Sequence, residues 1–295
     1  MIDKLEMLLA LAKEKHFGRA AETLGITQPT LSAGIRRLEE QLGVRLVQRG
    51  SRYGGLTPEG QRALDWARRI VGDSRRLRDE MRASHAGLSG HLRIAVIPTA
   101  LTWAARLTAG YSERHPNVSF TVLSRSSGEI LQMLDNLDVD AGITYLDNEP
   151  LGRMESRELY REDYALVCPR HHPMAQRDTI AWAELSGQRL CLLTPDMQNR
   201  RIINRNLMEA GVTPEVRVES NSTIVMVNTV LNGPFATILP EDMARFTAAG
   251  HDLALIPIER RGSRPAVGMI APQQDPATPV LQALLKLAEA LRRHD

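Results

Sequence analysis

The chain of 295 residues has few of the features that staple small secreted domains or anchor membrane proteins. It carries two cysteines, Cys168 and Cys191. Both lie in apolar runs, Ala-Leu-Val-Cys and Leu-Cys-Leu-Leu, so they read as small buried hydrophobes and not as a disulfide framework or a redox pair. No segment approaches the roughly 20 consecutive apolar residues of a membrane span. The N-terminus also lacks the basic-then-apolar order of a secretion signal, which leads to an expectation of a cytoplasmic protein without membrane contact.

Catalytic signatures are missing too. The sequence holds no phosphate-binding P-loop, no HExxH, no GxSxG and no zinc-spaced Cys/His set. His171 and His172 are adjacent and precede Pro173, which suits a surface loop better than a metal site, whose ligands must converge. Asp138 and Asp140 precede an apolar strand and read as a solvated loop end. The chain is therefore expected not to be an enzyme and to need no cofactor or metal.

The length suits two or three domains, each with its own core. The net charge of +2 hides an asymmetry: residues 1–87 carry 16 Lys+Arg against 11 Asp+Glu, a balance of +5, and the remainder is at −3. Only the first segment suits a polyanion, and +5 is modest, which favours two or more copies acting together.

In that segment, Phe17 to Gly43 reads as helix, turn, helix. Ala20, Ala21 and Leu24, then Leu31, Ile35, Leu38 and Leu42, follow helical spacing. Between the two sets, Gly25 can adopt the positive φ that ends a helix, Ile26 can fill the angle and Thr27 can cap the next helix. Pro29 then falls in the first turn, where its missing N–H costs nothing. The outer face of the second helix presents Gln28, Thr30, Ser32, Arg36, Arg37 and Glu40, side chains able to bond base edges and phosphates. Ile2, Leu5, Leu8, Leu9 and Ala12 form a supporting first helix. Val44 to Gln48 and Gly54 to Thr57 flank the polar turn Arg49-Gly50-Ser51-Arg52-Tyr53, a hairpin-sized wing.

These motifs resemble the N-terminal winged helix-turn-helix of the LysR-type transcriptional regulators. The agreement runs through F-x-R-A-A-x-x-L at Phe17 to Leu24, T-Q-P-T-L-S at Thr27 to Ser32, I-R-R-L-E-x-x-L-G-V-R-L at Ile35 to Leu46 and L-T-P-E-G at Leu56 to Gly60. The resemblance implies groove contacts from Gln28, Pro29, Thr30, Ser32 and Arg36, with Arg52 in the wing. Ala33 and Gly34 stand where many relatives carry a basic or polar residue.

Thr57-Pro58-Glu59 reads as the start of a long helix reaching about Ala86. Ala63, Ala67, Ile70, Ser74, Leu77, Met81 and Ser84 step alternately by four and three, a heptad seam that argues for a homodimer. This stretch is similar to the family's linker helix, and the family resemblance implies tetramers beyond the dimer.

His85 to Gly90, with two glycines and a serine, marks a domain boundary near residue 87. Beyond it, short apolar runs alternate with helical stretches, implying an α/β fold with βαβ units around largely parallel sheets. Resemblance to the regulators' effector domain, itself similar to periplasmic solute-binding proteins, implies two lobes: residues 91–161 with 266–295, and residues 162–265. The crossover strands are expected near Leu159 to Cys168 and Arg264 to Ala271.

A small polar or anionic effector is expected between the lobes. Thr99 and Thr102 follow the first strand and open a helix; Thr194, Gln198 and Asn199 repeat that arrangement in the second lobe; Thr144 ends a strand, and Asn221 or Ser222 starts another helix. Each alone can be an N-cap, while the family places its effector at positions matching Thr99, Thr144 and Thr194. The rival expectation is a solute-binding module of a transport or sensing system with a fused helical segment. That module calls for a secretion signal and has no use for residues 1–87. The expectation for the whole is a regulator of a pseudo-palindromic promoter site on double-stranded DNA.

Overall fold

The computed structural model describes residues 1–48, 53–86, 88–147, 151–273 and 277–292. They fall into two compact units. The first is Met1–Ser89 joined by Asp135–Asp138 and Ala277–Pro279; the second comprises the rest of the chain from Gly90.

The first unit opens with α1 (Ile2–Glu14), α2 (Phe17–Thr23) and α3 (Gln28–Leu42), followed by the long α4 (Pro58–Ala86). Local signals set each boundary. His16 caps α2, its ring accepting from the amides of Gly18 and Arg19, and Thr27 caps α3 by accepting from the Thr30 amide. Gly25 and Gly43 adopt φ of 65° and 69° where the helices stop. The core joins Leu5, Leu8 and Leu11 of α1 to Ala20 and Ala21 of α2, Leu31, Ile35 and Leu38 of α3, and Leu64, Ala67 and Val71 of α4. Of the apolar face expected for α1, Ile2, Leu9 and Ala12 are only partly buried, and Ala10 and Leu11 face the core instead.

The seam of α4 needs a correction. Ala67 is fully buried in the unit's own core, so the N-terminal part of the stripe already has a partner. Ile70, Leu77 and Met81 are exposed in the single chain, and so is Trp66, one turn before Ile70.

The second unit contains β1 (Gly90–Val96), α5 (Leu101–Arg114), β2 (Val118–Ser124), α6 (Ser127–Asp135), β3 (Ala141–Tyr145), β4 (Met154–Arg161) and β5 (Tyr164–Pro169). It continues with β6 (Arg189–Leu193), α7 (Gln198–Glu209), β7 (Glu215–Ser220), α8 (Thr223–Asn232), β8 (Thr237–Pro240), α9 (Glu241–Ala248), β9 (Leu253–Pro257), β10 (Ala266–Pro272) and α10 (Pro279–Ala290). One sheet runs β2-β1-β3-β10-β4. A second lobe is built from β8-β5-β9 and the pair β6-β7, tied together by a parallel bridge between Leu190 and Ala236.

The expectation of largely parallel sheets is corrected here. β1 is parallel to β2 and β3, and β6 to β7. However, β10 is antiparallel to β3 and β4, and β5 to β8 and β9. The chain passes between lobes from β4 into β5 and returns from β9 into β10. A strand that returns this way enters its sheet against the direction of the βαβ strands.

Candidate DNA-reading helix and interlobe cleft

The reading helix is positioned by what lies behind it. Gly34 is buried, and a Cβ there would come within 2.2 Å of the Met7 sulfur, so the Met7 side chain of α1 fills the space that a larger residue would take. Gln28, Pro29, Thr30, Arg36 and Arg37 are exposed and Ser32 is half-buried. The Thr30 hydroxyl is shared with that of Thr27 at 2.9 Å.

Glu39 is the acid of the I-R-R-L-E motif, and the sequence gives it no role beyond a charge on a helix. Its Oε1 accepts from the backbone amides of Leu46 and Val47 at 2.8 and 3.1 Å, fixing where the wing leaves the domain. The wing closes through a bridge between Val47 and Leu56. Thr57 caps α4 through the Gly60 amide at 2.9 Å. A Cβ on Gly60 would lie 2.0 Å from the Leu46 carbonyl oxygen, which gives the glycine of Leu-Thr-Pro-Glu-Gly a physical reason. Arg52 lies outside the described residues.

In the second unit, Thr99 sits in a 3-10 turn, Pro98–Ala100, after β1. Thr99, Thr144 and Asn199 are buried; Thr102, Thr194, Gln198 and Ser222 are half-buried, and Asn221 is exposed. The hydroxyls of Thr99, Thr102, Thr144 and Thr194 and the amide oxygen of Asn199 are enclosed without a well-formed hydrogen bond, unusual for buried polar groups. Gln198 is otherwise engaged, accepting from Arg201 Nε at 2.6 Å. Asn221 and Ser222 line a cavity of about 410 Å³ together with Pro98, Leu101 and Met197. Arg125, which no sequence motif singles out, also borders it from the loop after β2.

Deeper in the same unit is a hydrogen-bonded cluster that apolar periodicity does not reveal. The Tyr145 hydroxyl donates to Glu162 Oε2 at 2.8 Å, the Tyr164 hydroxyl donates to the same oxygen at 2.9 Å, and Asn199 Nδ2 donates to the Tyr145 hydroxyl at 3.2 Å. Burial pushes the Glu162 carboxyl up to about 7; the bonds from Tyr145 and Tyr164 oppose that rise and the nearby Asp242 adds to it. Burial also holds Tyr145, Tyr160 and Tyr164 well above the ordinary tyrosine value, with the charge of Glu162 acting in the same sense.

Cys168 and Cys191 are both fully buried and free. Burial pushes the Cys168 thiol up to about 11 and raises that of Cys191, partly offset by a hydrogen bond with Thr229. Among the described residues no helix is long and apolar enough to cross a membrane.

The chain matches two family profiles: "Bacterial regulatory helix-turn-helix protein, lysR family" over residues 2–61, and "LysR substrate binding domain" over residues 85–292. It is 28% identical over 292 residues to the DNA-binding transcriptional dual regulator OxyR of Escherichia coli strain K12, covering 99% of this chain and 94% of that protein. It is 26% identical over 294 residues to the hydrogen peroxide-inducible genes activator of Dickeya chrysanthemi, covering 99% and 95%. The fold is similar to that of a full-length OxyR variant from Pseudomonas aeruginosa, with a TM-score of 0.74, 24% identity and coverage of 99% and 94%. Both parts of the chain thus point the same way, and it belongs to the LysR family of DNA-binding transcriptional regulators with an effector-binding domain.

Proposed function

We propose that this chain acts in the cytoplasm as a homodimer on a pseudo-palindromic promoter site, with α3 in the major groove. Gln28, Ser32 and Arg36 meet bases or phosphates, Pro29, Thr30 and Arg37 flank them, and Arg52 reaches the backbone from the wing. The exposed stripe of Trp66, Ile70, Leu77 and Met81 on α4 supports pairing of two chains through that helix. Pairing of effector domains would extend the dimer to a tetramer. The protein carries no catalytic step of its own in this reading.

A small polar or anionic metabolite occupies the cleft between the lobes and biases two arrangements of them. Its influence is limited to its differential affinity for the two, about 1 to 3 kcal/mol in typical cases. The observation that carries this reading is the set of enclosed, unpartnered hydroxyls of Thr102, Thr144 and Thr194, with that of Thr99 beside the Tyr145 hydroxyl. Arg125, in the lining of the cavity that Asn221 and Ser222 share and that none of these threonines lines, supplies a cation for a carboxylate. A thermal-shift screen of the full chain against small carboxylates and neutral polar metabolites, repeated on Thr99→Val and Thr194→Val, tests it. A hit that both variants bind as well as the parent would place the ligand elsewhere.

The peroxide response named for one relative suggests thiol sensing as a second reading. Thiol chemistry needs an accessible thiolate, and the buried, upward-shifted Cys168 and Cys191 favour a bound metabolite over an oxidised cysteine as the signal.

A further inference from the structure

A second cavity, about 320 Å³, lies where the chain crosses between lobes, and none of the cleft threonines lines it. Its lining includes four acids, Glu162, Asp163, Glu241 and Asp242, and three arginines, Arg161, Arg245 and Arg264. The arginines are already engaged: Arg161 with Glu158 at 2.9 Å, Arg245 with Glu241 at 2.9 Å and Arg264 with Asp163 at 3.0 Å. Asp163 also holds Arg260 at 3.0 Å, and Asp242 accepts from the Trp103 indole at 3.0 Å.

Glu162 differs from the other acids in the lining. It is 3% exposed, and among the described residues no cation pairs with it. One carboxyl oxygen collects both tyrosine hydroxyls, while Oε1 is enclosed with no partner. The Tyr160 hydroxyl, in the same lining, is likewise enclosed and unpartnered, its ring stacked on Trp103 at 4.7 Å. The open Oε1, beside another acid and an unpartnered hydroxyl, has neither a counter-charge nor a hydrogen-bond donor. A protonated amine supplies both at once, and the aromatic ring adds to its attraction.

We propose that this crossover cavity binds a small organic cation, an alkylammonium group, at Glu162 and Tyr160. None of the cleft threonines lines this cavity, and the proposal does not depend on a ligand in the cleft, although the Tyr145 hydroxyl links Glu162 to Asn199 and Thr99. Binding requires the ionised carboxylate, so a protonated Glu162 releases its proton to solvent as the ammonium enters. The groups facing Glu162 are Tyr145 on β3, Tyr160 on β4, Tyr164 on β5 and Asp242 on α9, and Arg106 on α5 acts on Tyr160 from over the Trp103 ring. The three tyrosines remain neutral throughout the neutral range, and Glu162 stands near 7. Affinity for the amine therefore rises between about pH 6 and about pH 8, by up to about tenfold per unit where the carboxyl is still protonated.

The test uses the full chain, followed by thermal shift and calorimetry with putrescine and butylamine at about 10 mM. Butanediol, succinate, potassium and magnesium serve as comparisons at matched ionic strength. Expected are a stabilising shift with the amines that is larger at the higher pH, proton release on binding, and loss of both in Glu162→Gln, with weakening in Tyr160→Phe. No amine shift at either pH would overturn the proposal. So would an undiminished shift in a folded Glu162→Gln, or an equal shift from potassium or magnesium. Operator binding by the same samples, and any succinate response abolished by Thr99→Val, report separately on the regulator and its cleft.

Discussion

Asn199, at the start of α7, donates its amide Nδ2 to the Tyr145 hydroxyl, at the end of β3, across 3.2 Å. A single hydroxyl thereby joins a residue of one lobe to a residue of the other, and donates its own proton to Glu162 on the crossover. A lobe movement that separated α7 from β3 would break this relay. Tyr145→Phe removes the shared atom and leaves Asn199 without its acceptor. It is expected to destabilise the fold by about 1 to 3 kcal/mol, read as a lower urea midpoint. An unchanged midpoint would remove the relay from the account.

The second prediction concerns pH. A carboxyl raised from its unfolded value to about 7 favours the folded state while protonated, and that contribution is lost as pH rises toward 7. Glu162→Gln keeps an acceptor for the tyrosines without the ionisation. The variant should gain stability over the parent progressively from about pH 5 to about pH 8, by on the order of 2 to 3 kcal/mol at the upper end, and match it below. Parallel melting profiles for the two proteins would contradict this.

The third contrasts two glycines. Gly60→Ala pushes a Cβ against the Leu46 backbone carbonyl at 2.0 Å, which α4 or the wing must yield to accommodate. Gly128→Ala, on α6, meets nothing within 4 Å. The first should lower the melting temperature and DNA affinity together. The second should leave both near the parent or stabilise the helix by up to about 1 kcal/mol. Equal tolerance of both would mean the wing does not sit against α4 as described.

The helix-turn-helix is legible in the sequence because its instructions are local: Gly25, Thr27, Pro29 and Gly43 each act on their own few residues. Residues whose roles lie at long range are not. Glu39 belongs to a recognised motif, yet its role stays hidden until its bonds to Leu46 and Val47 are seen. Tyr145 and Tyr164 stand in or beside apolar runs where a tyrosine gives no periodic signal, Glu162 looks like one more charge between Arg161 and Asp163, and Asn199 reaches its partner 54 residues away. Strand direction is hidden for the same reason. Alternation of strand and helix suggests parallel pairing, and it does not show that β10 returns to a sheet whose other strands already run the opposite way. The heptad spacing identifies an apolar stripe on α4, yet spacing cannot tell that Ala67 packs against its own domain while Leu77 is left outward.

The cysteines give a fourth prediction. Cys168→Ser and Cys191→Ala, alone or together, should leave operator affinity insensitive to hydrogen peroxide, as the parent is expected to be, because neither thiol offers an accessible thiolate. A peroxide-dependent change in the parent that disappears in either variant would establish a redox switch instead.

The claim that α3 reads sequence is tested most directly by gel shifts of the full chain with genomic fragments against random DNA, followed by the recovered site with Gln28→Ala and Ser32→Ala. The account predicts a fragment bound well above random DNA. It also predicts that each substitution narrows that gap by about 1 to 3 kcal/mol. Binding of every fragment equally, or full discrimination retained by both variants, would contradict it.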